Sequence, residues 1–326
     1  MLVSVILATY NDEKHIKEAI DSVLEQTHKE FEFIIIHDGS TDSTKEIIKS
    51  YNDDRIILLE NEKNMGLPYS LNRGLTIAKG KYVARMDGDD ICYKERLEKQ
   101  LQYMEEHPDI TICGANRLQF GSGKSKKMYF PEDCEQLRIR LLFGSPIAHP
   151  SWFVRKSDFD KYEFKYNEKF RYSQDYELIS RVLKKCKIAC VPDVLIKYRG
   201  IVNKPKHVHE KGIRYTISVL QRILKELHMS LERPDMDLLI GYDVDFSKAE
   251  NVFRLVRLYR KIIAQNKKYQ IFQHDILIKT LKRTLCMKCK DKIWLLLLFW
   301  DVIVPYEVLA FRMDKRNYNS NETYYY

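Results

Sequence analysis

Glycine is scarce in this sequence and missing from the places where several nucleotide chemistries require it. There are 12 Gly in 326 residues, and the first strand-to-helix turn, Thr9-Tyr-Asn-Asp-Glu-Lys14, holds none. No Gly-x-Gly-x-x-Gly occurs, which excludes the dinucleotide fingerprint of a Rossmann dehydrogenase. The lack of a Gly-rich, Lys-bearing loop argues equally against a nucleotidyltransferase. Pro, Gly and Ser form no rich stretch that would mark a flexible linker, and no internal repeat is present. No apolar run reaches the roughly 20 residues of a membrane-spanning helix; residues 293–305 (IWLLLLFWDVIVP) are interrupted by Asp301. No basic residues precede the apolar run at Met1–Thr9, which therefore reads as a first strand and not as a signal peptide. The seven cysteines (Cys92, Cys113, Cys134, Cys186, Cys190, Cys286, Cys289) are odd in number and scattered. They fit reduced thiols in a cytosolic compartment and not a disulfide framework. Cys286-Met-Lys-Cys289 has zinc-like spacing, but no second pair follows to complete a site.

What is present suits a globular protein of one larger domain plus an appendage: 44% hydrophobic and 31% charged residues. The net charge of +9 is unevenly placed. Residues 200–326 hold 23 Lys and Arg against 14 Asp and Glu, an excess of nine that equals the charge of the whole chain. Such a region favours polyanions, either nucleic acid or an anionic membrane surface. Aromatic-interleaved basic motifs, zinc-finger spacing and a helix-turn-helix are all missing, which disfavours nucleic acid. Residues 293–305 carry Trp294 and Trp300 and are flanked by Lys288, Lys290, Lys292, Arg312, Lys315 and Arg316. They read either as an interfacial membrane segment or as a buried core helix.

The first 115 or so residues alternate in period. Leu2–Thr9 is a continuous apolar and β-branched run, hence a buried strand. Asp12–Gln26 carries Ile16, Ala19, Ile20, Val23 and Leu24 at helical spacing, with Asn11 or Asp12 placed to cap it. Strands are predicted at Phe31–His37, Arg55–Leu59, Lys81–Met86 and Ile110–Gly114, and helices at Ser40–Tyr51, Leu67–Ala78 and Lys94–Glu106. This alternation predicts a largely parallel sheet covered by helices on both faces, in which ligands bind at the carboxyl ends of the strands. Beyond about residue 205 only helical periods appear, in 212–228, 252–264 and 276–285. The predicted division is therefore 1–205, carrying the chemistry, and 206–326, a basic and mostly helical region.

Polar clusters fall at the predicted strand ends: Thr9-Tyr-Asn11-Asp12, Asp38-Gly-Ser40 and Asp87-Gly-Asp89-Asp90. Three carboxylates in one tetrapeptide repel one another unless a cation sits between them. Hard oxygen donors of this kind suit Mg²⁺ or Mn²⁺. Read alone, each cluster is equally a turn or a helix cap.

Together, Val5-Ile-Leu-Ala-Thr9-Tyr-Asn11, Ile36-His-Asp38-Gly-Ser40-Thr-Asp42, Asn64-Met-Gly66-Leu, Leu71-Asn72-Arg73-Gly74 and Ala78-Lys-Gly80-Lys-Tyr82-Val-Ala-Arg-Met-Asp87-Gly-Asp89-Asp90 resemble the family-2 glycosyltransferases of the GT-A fold. Ala148-His149-Pro150-Ser151 and Gln174-Asp175-Tyr176-Glu177-Leu178 extend the likeness to about residue 200. The resemblance implies a GT-A α/β fold and an inverting, metal-dependent transfer of sugar from a nucleotide-diphospho-sugar, expected to be a UDP-sugar. It implies Thr9 and Asn11 beside the nucleoside, Asp38 on the base, Asn64, Gly66 and Asn72 bordering the nucleotide, and Asp87 facing the ribose. Asp89 would ligate the metal, with His207 or His209 as a further ligand, and Asp175 would be the catalytic base. His149 and Trp152 are expected on the acceptor side; Arg199 could approach phosphate. His37 departs from the Asp common before Asp-Gly-Ser, which leaves the nucleotide open, and no Gln-x-x-Arg-Trp follows Asp175, which argues against processive polymerisation. The acceptor is expected to be a glycan or lipid-linked precursor in cell-surface polysaccharide synthesis, reached from the cytoplasm at the inner face of the membrane. The competing reading is a non-catalytic protein that binds sugar-nucleotides or polyanions.

Overall fold

The computed structural model describes residues 1–121, 123–200, 206–288 and 322–324, with only the backbone described for 206–209 and 322–324. Residues 293–305 and Cys289 lie outside the described residues, as do the side chains of His207 and His209. The chain runs β1 (Val3–Thr9), α1 (Ile16–Leu24), β2 (Phe31–His37), α2 (Thr44–Lys49), β3 (Ile56–Glu60), α3 (Leu67–Ile77) and β4 (Tyr82–Asp87). Next come β5 (Ile91–Cys92), α4 (Arg96–Glu106), β6 (Ile110–Phe120), β7 (Lys126–Tyr129), α5 (Cys134–Arg140), β8 (Phe153–Arg155), α6 (Lys156–Lys161), α7 (Gln174–Val182) and β9 (Lys187–Arg199). It ends with α8 (Lys206–Glu226), α9 (Arg233–Ile240), α10 (Ala249–Tyr269), α11 (His274–Lys288) and β10 (Glu322–Tyr324).

The sheet order is β10-β7-β6-β8-β4-β1-β2-β3, with β9 paired to β6 and to β5. Strands β4, β1, β2 and β3 are parallel, as the βα alternation predicts. The other half is mixed: β8 runs antiparallel to both β4 and β6, and β7 antiparallel to β6. No helix-length crossover separates β6 from β7, so a tight reversal is the geometry open to them.

Every residue of β1 and β2 is buried, because helices cover both faces. Successive side chains alternate between two cores. Ile6, Ala8, Ile34 and Ile36 join one cluster, while Val3, Val5, Leu7, Phe33 and Ile35 join the other with Ile16, Ile20 and Val23 of α1. The first cluster continues without a break into Ile217, Leu220 and Leu224 of α8, Val252 and Leu255 of α10, and Leu277 and Leu281 of α11. The C-terminal helices thus share apolar packing with the sheet.

Register brings the chemistry to one edge. Thr9 lies beside His37 and Ala8 beside Asp87, so β2, β1 and β4 end level with one another. The turns that follow carry Asp38, Asn11-Asp12 and Gly88-Asp89-Asp90, and they share a rim. Among the described residues, no helix is long and apolar enough to cross a membrane.

Candidate active site

Helix α1 begins at Ile16, later than the apolar spacing alone suggests, and neither Asn11 nor Asp12 caps it with a side chain. The Asp12 carboxylate instead accepts from the Thr9 hydroxyl at 2.7 Å and the Tyr10 N–H at 3.3 Å, turned towards the rim. A Cβ on Gly88 would lie 2.6 Å from that carboxylate and 3.1 Å from the Thr9 hydroxyl, so only glycine lets the turn after β4 close onto the turn after β1. Asn11 adopts a left-handed backbone (φ 57°). Its side-chain oxygen accepts from the Thr41 N–H at 2.9 Å, joining the loops after β1 and β2.

Asp38 is buried and anchors the third loop. Its carboxylate accepts from the Asn61 side chain at 2.5 Å and from the N–H groups of Met65 and Gly66 at 2.9 Å each. Gly39 (φ 70°) lets the same loop approach, since a Cβ there would sit 2.5 Å from the Lys63 carbonyl carbon. Asn64 and Gly66 are therefore held at the rim by Asp38. Tyr10 and Met65 are large apolar side chains that remain exposed, at 42% and 37%, one on the β1 loop and one on the Asp38-anchored loop.

The carboxylates of Asp87, Asp89 and Asp90 each offer an oxygen within 4.8 Å of the others. Asp87 is gripped by both terminal nitrogens of Arg85, which is fully enclosed. Two residues apart on one strand, Arg85 and Asp87 share a face. Burial, then the charges of Asp87 and Asp12, raise Asp89 to about 6. Burial with the same like-charge repulsion moves Asp90 further up, and one Asp90 oxygen is buried with no hydrogen-bond partner. Hard oxygens, mutual repulsion and an orphaned acceptor are the conditions a divalent cation satisfies, and these residues fit one.

Arg199, at the end of β9, is held against the acidic turn. Its backbone N–H donates to Asp90 at 2.7 Å, its Nε donates to the Asp89 carbonyl at 2.8 Å, and its guanidinium pairs with Glu18. It fixes the acidic turn.

Asp175 stands in the first turn of α7. Burial raises its pKa against the opposing influence of Ser145, the Tyr176 N–H and Arg85, while the Ser145 hydroxyl donates to the Ile147 carbonyl at 3.3 Å. Tyr166 feels Arg85, Asp175 and Asp87 together, so Asp175 and the acidic turn border one region.

Asn72, His149 and Trp152 are held by partners within the chain. Asn72 spends its amide on the chain at 166–168: Tyr166 N–H donates to its oxygen at 2.9 Å, and its nitrogen donates to the Tyr166 carbonyl and the Glu168 carboxylate. It clips α3 to that segment. His149 and Trp152 line no open acceptor face. Trp152 is fully buried, and His149 is 8% exposed with its Nε2 2.7 Å from the Tyr166 hydroxyl. Together with Tyr166 they form an aromatic cluster within the field of Arg85.

The family model described as Glycosyl transferase family 2 matches residues 4–164. An uncharacterized glycosyltransferase of Haemophilus influenzae is 33% identical over 278 residues, spanning 80% of this chain and 84% of that protein. The amylovoran biosynthesis glycosyltransferase AmsE of Erwinia amylovora is 32% identical over 71% of this chain and 86% of its own length. Among solved structures, Staphylococcus aureus TarS residues 1–349 in complex with UDP-GlcNAc superposes with a TM-score of 0.59 at 19% identity, covering 89% of each chain. The mannosyltransferase PcManGT of Pyrobaculum calidifontis, in complex with GDP-Man and Mn²⁺, gives 0.53 at 18% identity over 90% of this chain and 82% of that one. At these identities the two structures share a fold with this chain.

Proposed function

Because the chain belongs to glycosyl transferase family 2, we propose that it moves one sugar from a nucleotide-diphospho-sugar to a hydroxyl of a glycan or lipid-linked acceptor, inverting the anomeric centre. The observation that carries this reading is the meeting of Asp12, Asp87, Asp89 and Asp90 at the level ends of β1 and β4, with Asp175 bordering the same region.

In this reading the nucleoside lies across the loops after β1 and β2. Thr9 and Asn11 border it, the Asp38-anchored loop with Asn64 and Gly66 closes one side, and Asp38 offers its remaining lone pair to the base. Tyr10 is exposed because a base stacks on it. Asp87, gripped by Arg85, accepts from a ribose hydroxyl. The oxygens of Asp89 and Asp90 face the diphosphate. A divalent cation, Mn²⁺ or Mg²⁺, held there would offset the negative charge that builds on the departing diphosphate. Asp175 takes the proton from the acceptor hydroxyl as its oxygen attacks the anomeric carbon; the bond to the diphosphate breaks on the opposite side, which gives inversion. Residues 1–205 carry this chemistry, and 206–326 supply a basic docking region.

The UDP-GlcNAc bound by TarS supports a uridine donor, and the amylovoran-synthesis relative supports an acceptor in polysaccharide assembly. Between Glu250 and Asp275 the chain carries Arg254, Arg257, Arg260, Lys261, Lys267 and Lys268 and no acidic residue. Docking from the cytoplasm on an anionic membrane, close to a lipid-linked acceptor, follows from that charge. Flotation with phosphatidylglycerol vesicles at low salt should carry the protein upward. Failure to float would sink the docking idea and leave the chemistry intact.

A panel of UDP-, GDP- and dTDP-sugars, read by thermal stabilisation and by hydrolysis with MnCl₂ or EDTA, tests the reading. Stabilisation by at least one sugar-nucleotide in MnCl₂ is the expected result; stabilisation by none would contradict it. Within the responding nucleotide, Tyr10→Ala should weaken binding by about tenfold, as loss of one base–aromatic stack costs about 1–3 kcal/mol. Unchanged affinity by calorimetry would show that Tyr10 does not stack.

A further inference from the structure

Asp175 and Glu177 lie two residues apart in the first turn of α7, so their side chains leave opposite sides of the helix. Asp175 turns towards Ser145 and the field of Arg85. Glu177 turns the other way, is 1% exposed, and carries two cations. Arg181, one turn on, donates from Nε at 3.1 Å and from its terminal nitrogen at 2.9 Å, while Arg222 reaches across from α8 to donate at 3.2 Å. The Arg222 guanidinium also lies over the Phe170 ring, 5.4 Å from its centre.

The other side of Asp175 is tied to the same helix. Ser173 adopts a left-handed backbone (φ 54°) where a β-region N-cap is usual, and its hydroxyl does not cap α7. That hydroxyl instead sits 2.8 Å from the hydroxyl of Thr216 and 3.4 Å from the Gly212 carbonyl, both on α8. A left-handed conformation at a residue other than glycine costs about 1–3 kcal/mol and persists only where its surroundings hold it. Here α8 does so. Tyr215 of α8 packs on Phe170 and Tyr172 of the approaching loop, with ring centres 5.5 and 5.9 Å apart.

We infer that helix α8 is the clamp that holds the proposed base in place, with Thr216 and Arg222 as positioning residues for Asp175. The inference rests on Asp175 being the base and goes beyond it, because it makes the C-terminal helices part of the catalytic apparatus. Neither residue touches substrate. They act by fixing residues 173 and 177, and displacement of a reacting group by about 1 Å costs on the order of 100-fold in rate.

The test uses the full chain with Thr216→Val, Arg222→Met and the double variant, and with Thr216→Ser and Arg222→Lys as conservative controls. Hydrogen exchange is read on peptides spanning 172–182 and 82–90, and turnover is read as hydrolysis of UDP-N-acetylglucosamine in MnCl₂ with water as acceptor. The double variant should exchange about tenfold faster at 172–182 alone. Its kcat should fall by about tenfold or more with donor KM within about twofold, and the conservative pair should recover most of it. Wild-type exchange at 172–182 would overturn the clamp, and so would faster exchange with kcat intact. If Asp175→Asn itself turned over at the wild-type rate, the base assignment would fall separately, and the exchange measurement would still decide the clamp.

Discussion

Replacing Asp175 by Asn should leave nucleotide binding within about twofold and lower turnover by about 10³, the middle of the range for losing a positioned general base, the role proposed for it. Asn preserves the shape of the side chain beside Ser145 and the Tyr176 N–H, but it cannot take a proton. The loss therefore appears in kcat while the donor affinity survives. The pH profile of the wild type has a matching sign. Burial raises Asp175 above the ordinary carboxylate value of 3.8, and the base works only when ionised. Activity should be full above the raised value and fall as pH drops through it, so the acid limb lies at higher pH than a free aspartate would give. An equal loss of binding and turnover in Asp175→Asn would contradict this role, because it would place the residue in donor binding.

Asp89→Asn acts on the other half of the reaction. It should weaken metal-dependent nucleotide binding by at least about 100-fold, since ligands near a bound metal commonly account for factors of 10–100 even from outside the coordinating set. The same substitution should stabilise the protein in EDTA. Asp89 is raised to about 6 by burial and by Asp87 and Asp12, so the folded protein holds this proton more tightly than the unfolded chain does. A raised acid opposes folding once it ionises: stability declines as pH climbs from about 4 through about 6, and it is regained on acidification. Asn carries no such charge, so the variant should melt higher than wild type at neutral pH without metal and lower with it. A variant that melts lower in both conditions would show that Asp89 serves packing and not an ion.

The parallel half of the fold was open to reading because every piece of it has a local cause. Continuous apolar runs at Val3–Thr9 and Phe31–His37 mark strands buried on both sides, and the predicted Phe31–His37 coincides with β2. Helices α3 and α4 lie within two residues of their predicted spans. The ends of α1 and α2 were harder. Asp12 turns to the rim instead of capping α1, whereas Asp42 accepts from the Thr44 N–H and hydroxyl at the start of α2 and also from the N–H of Glu13. Sequence spacing cannot weigh such long-range partners against a helix end. The antiparallel strands β7 and β8 lack a periodic signature at four and three residues.

The site shows the same division. The acidic residues were visible as a cluster, yet Asp12 passed as a cap because its relation to Asp89 exists only once β1 and β4 pair. Arg85 had a signal that strand periodicity supplies: two residues before Asp87 on one strand, it must share that face. Asn72 and Trp152 were ambiguous for a different reason. A polar residue in a ligand-bordering segment, or an aromatic near a reaction centre, can equally serve packing, and only the partners at Tyr166 and His149 show that these two do. Tyr166 and Arg222 carry no local mark at all; their importance comes from what the fold sets beside them.

Titration of the full chain with UDP by calorimetry, once in MnCl₂ and once in EDTA, goes to the heart of the account, which is that carboxylates gathered at the strand ends hold a cation against a diphosphate. Binding in MnCl₂ that weakens by at least about 100-fold in EDTA is the expected outcome. Equal affinity in the two buffers, with Asp89→Asn binding as the wild type does, would contradict it.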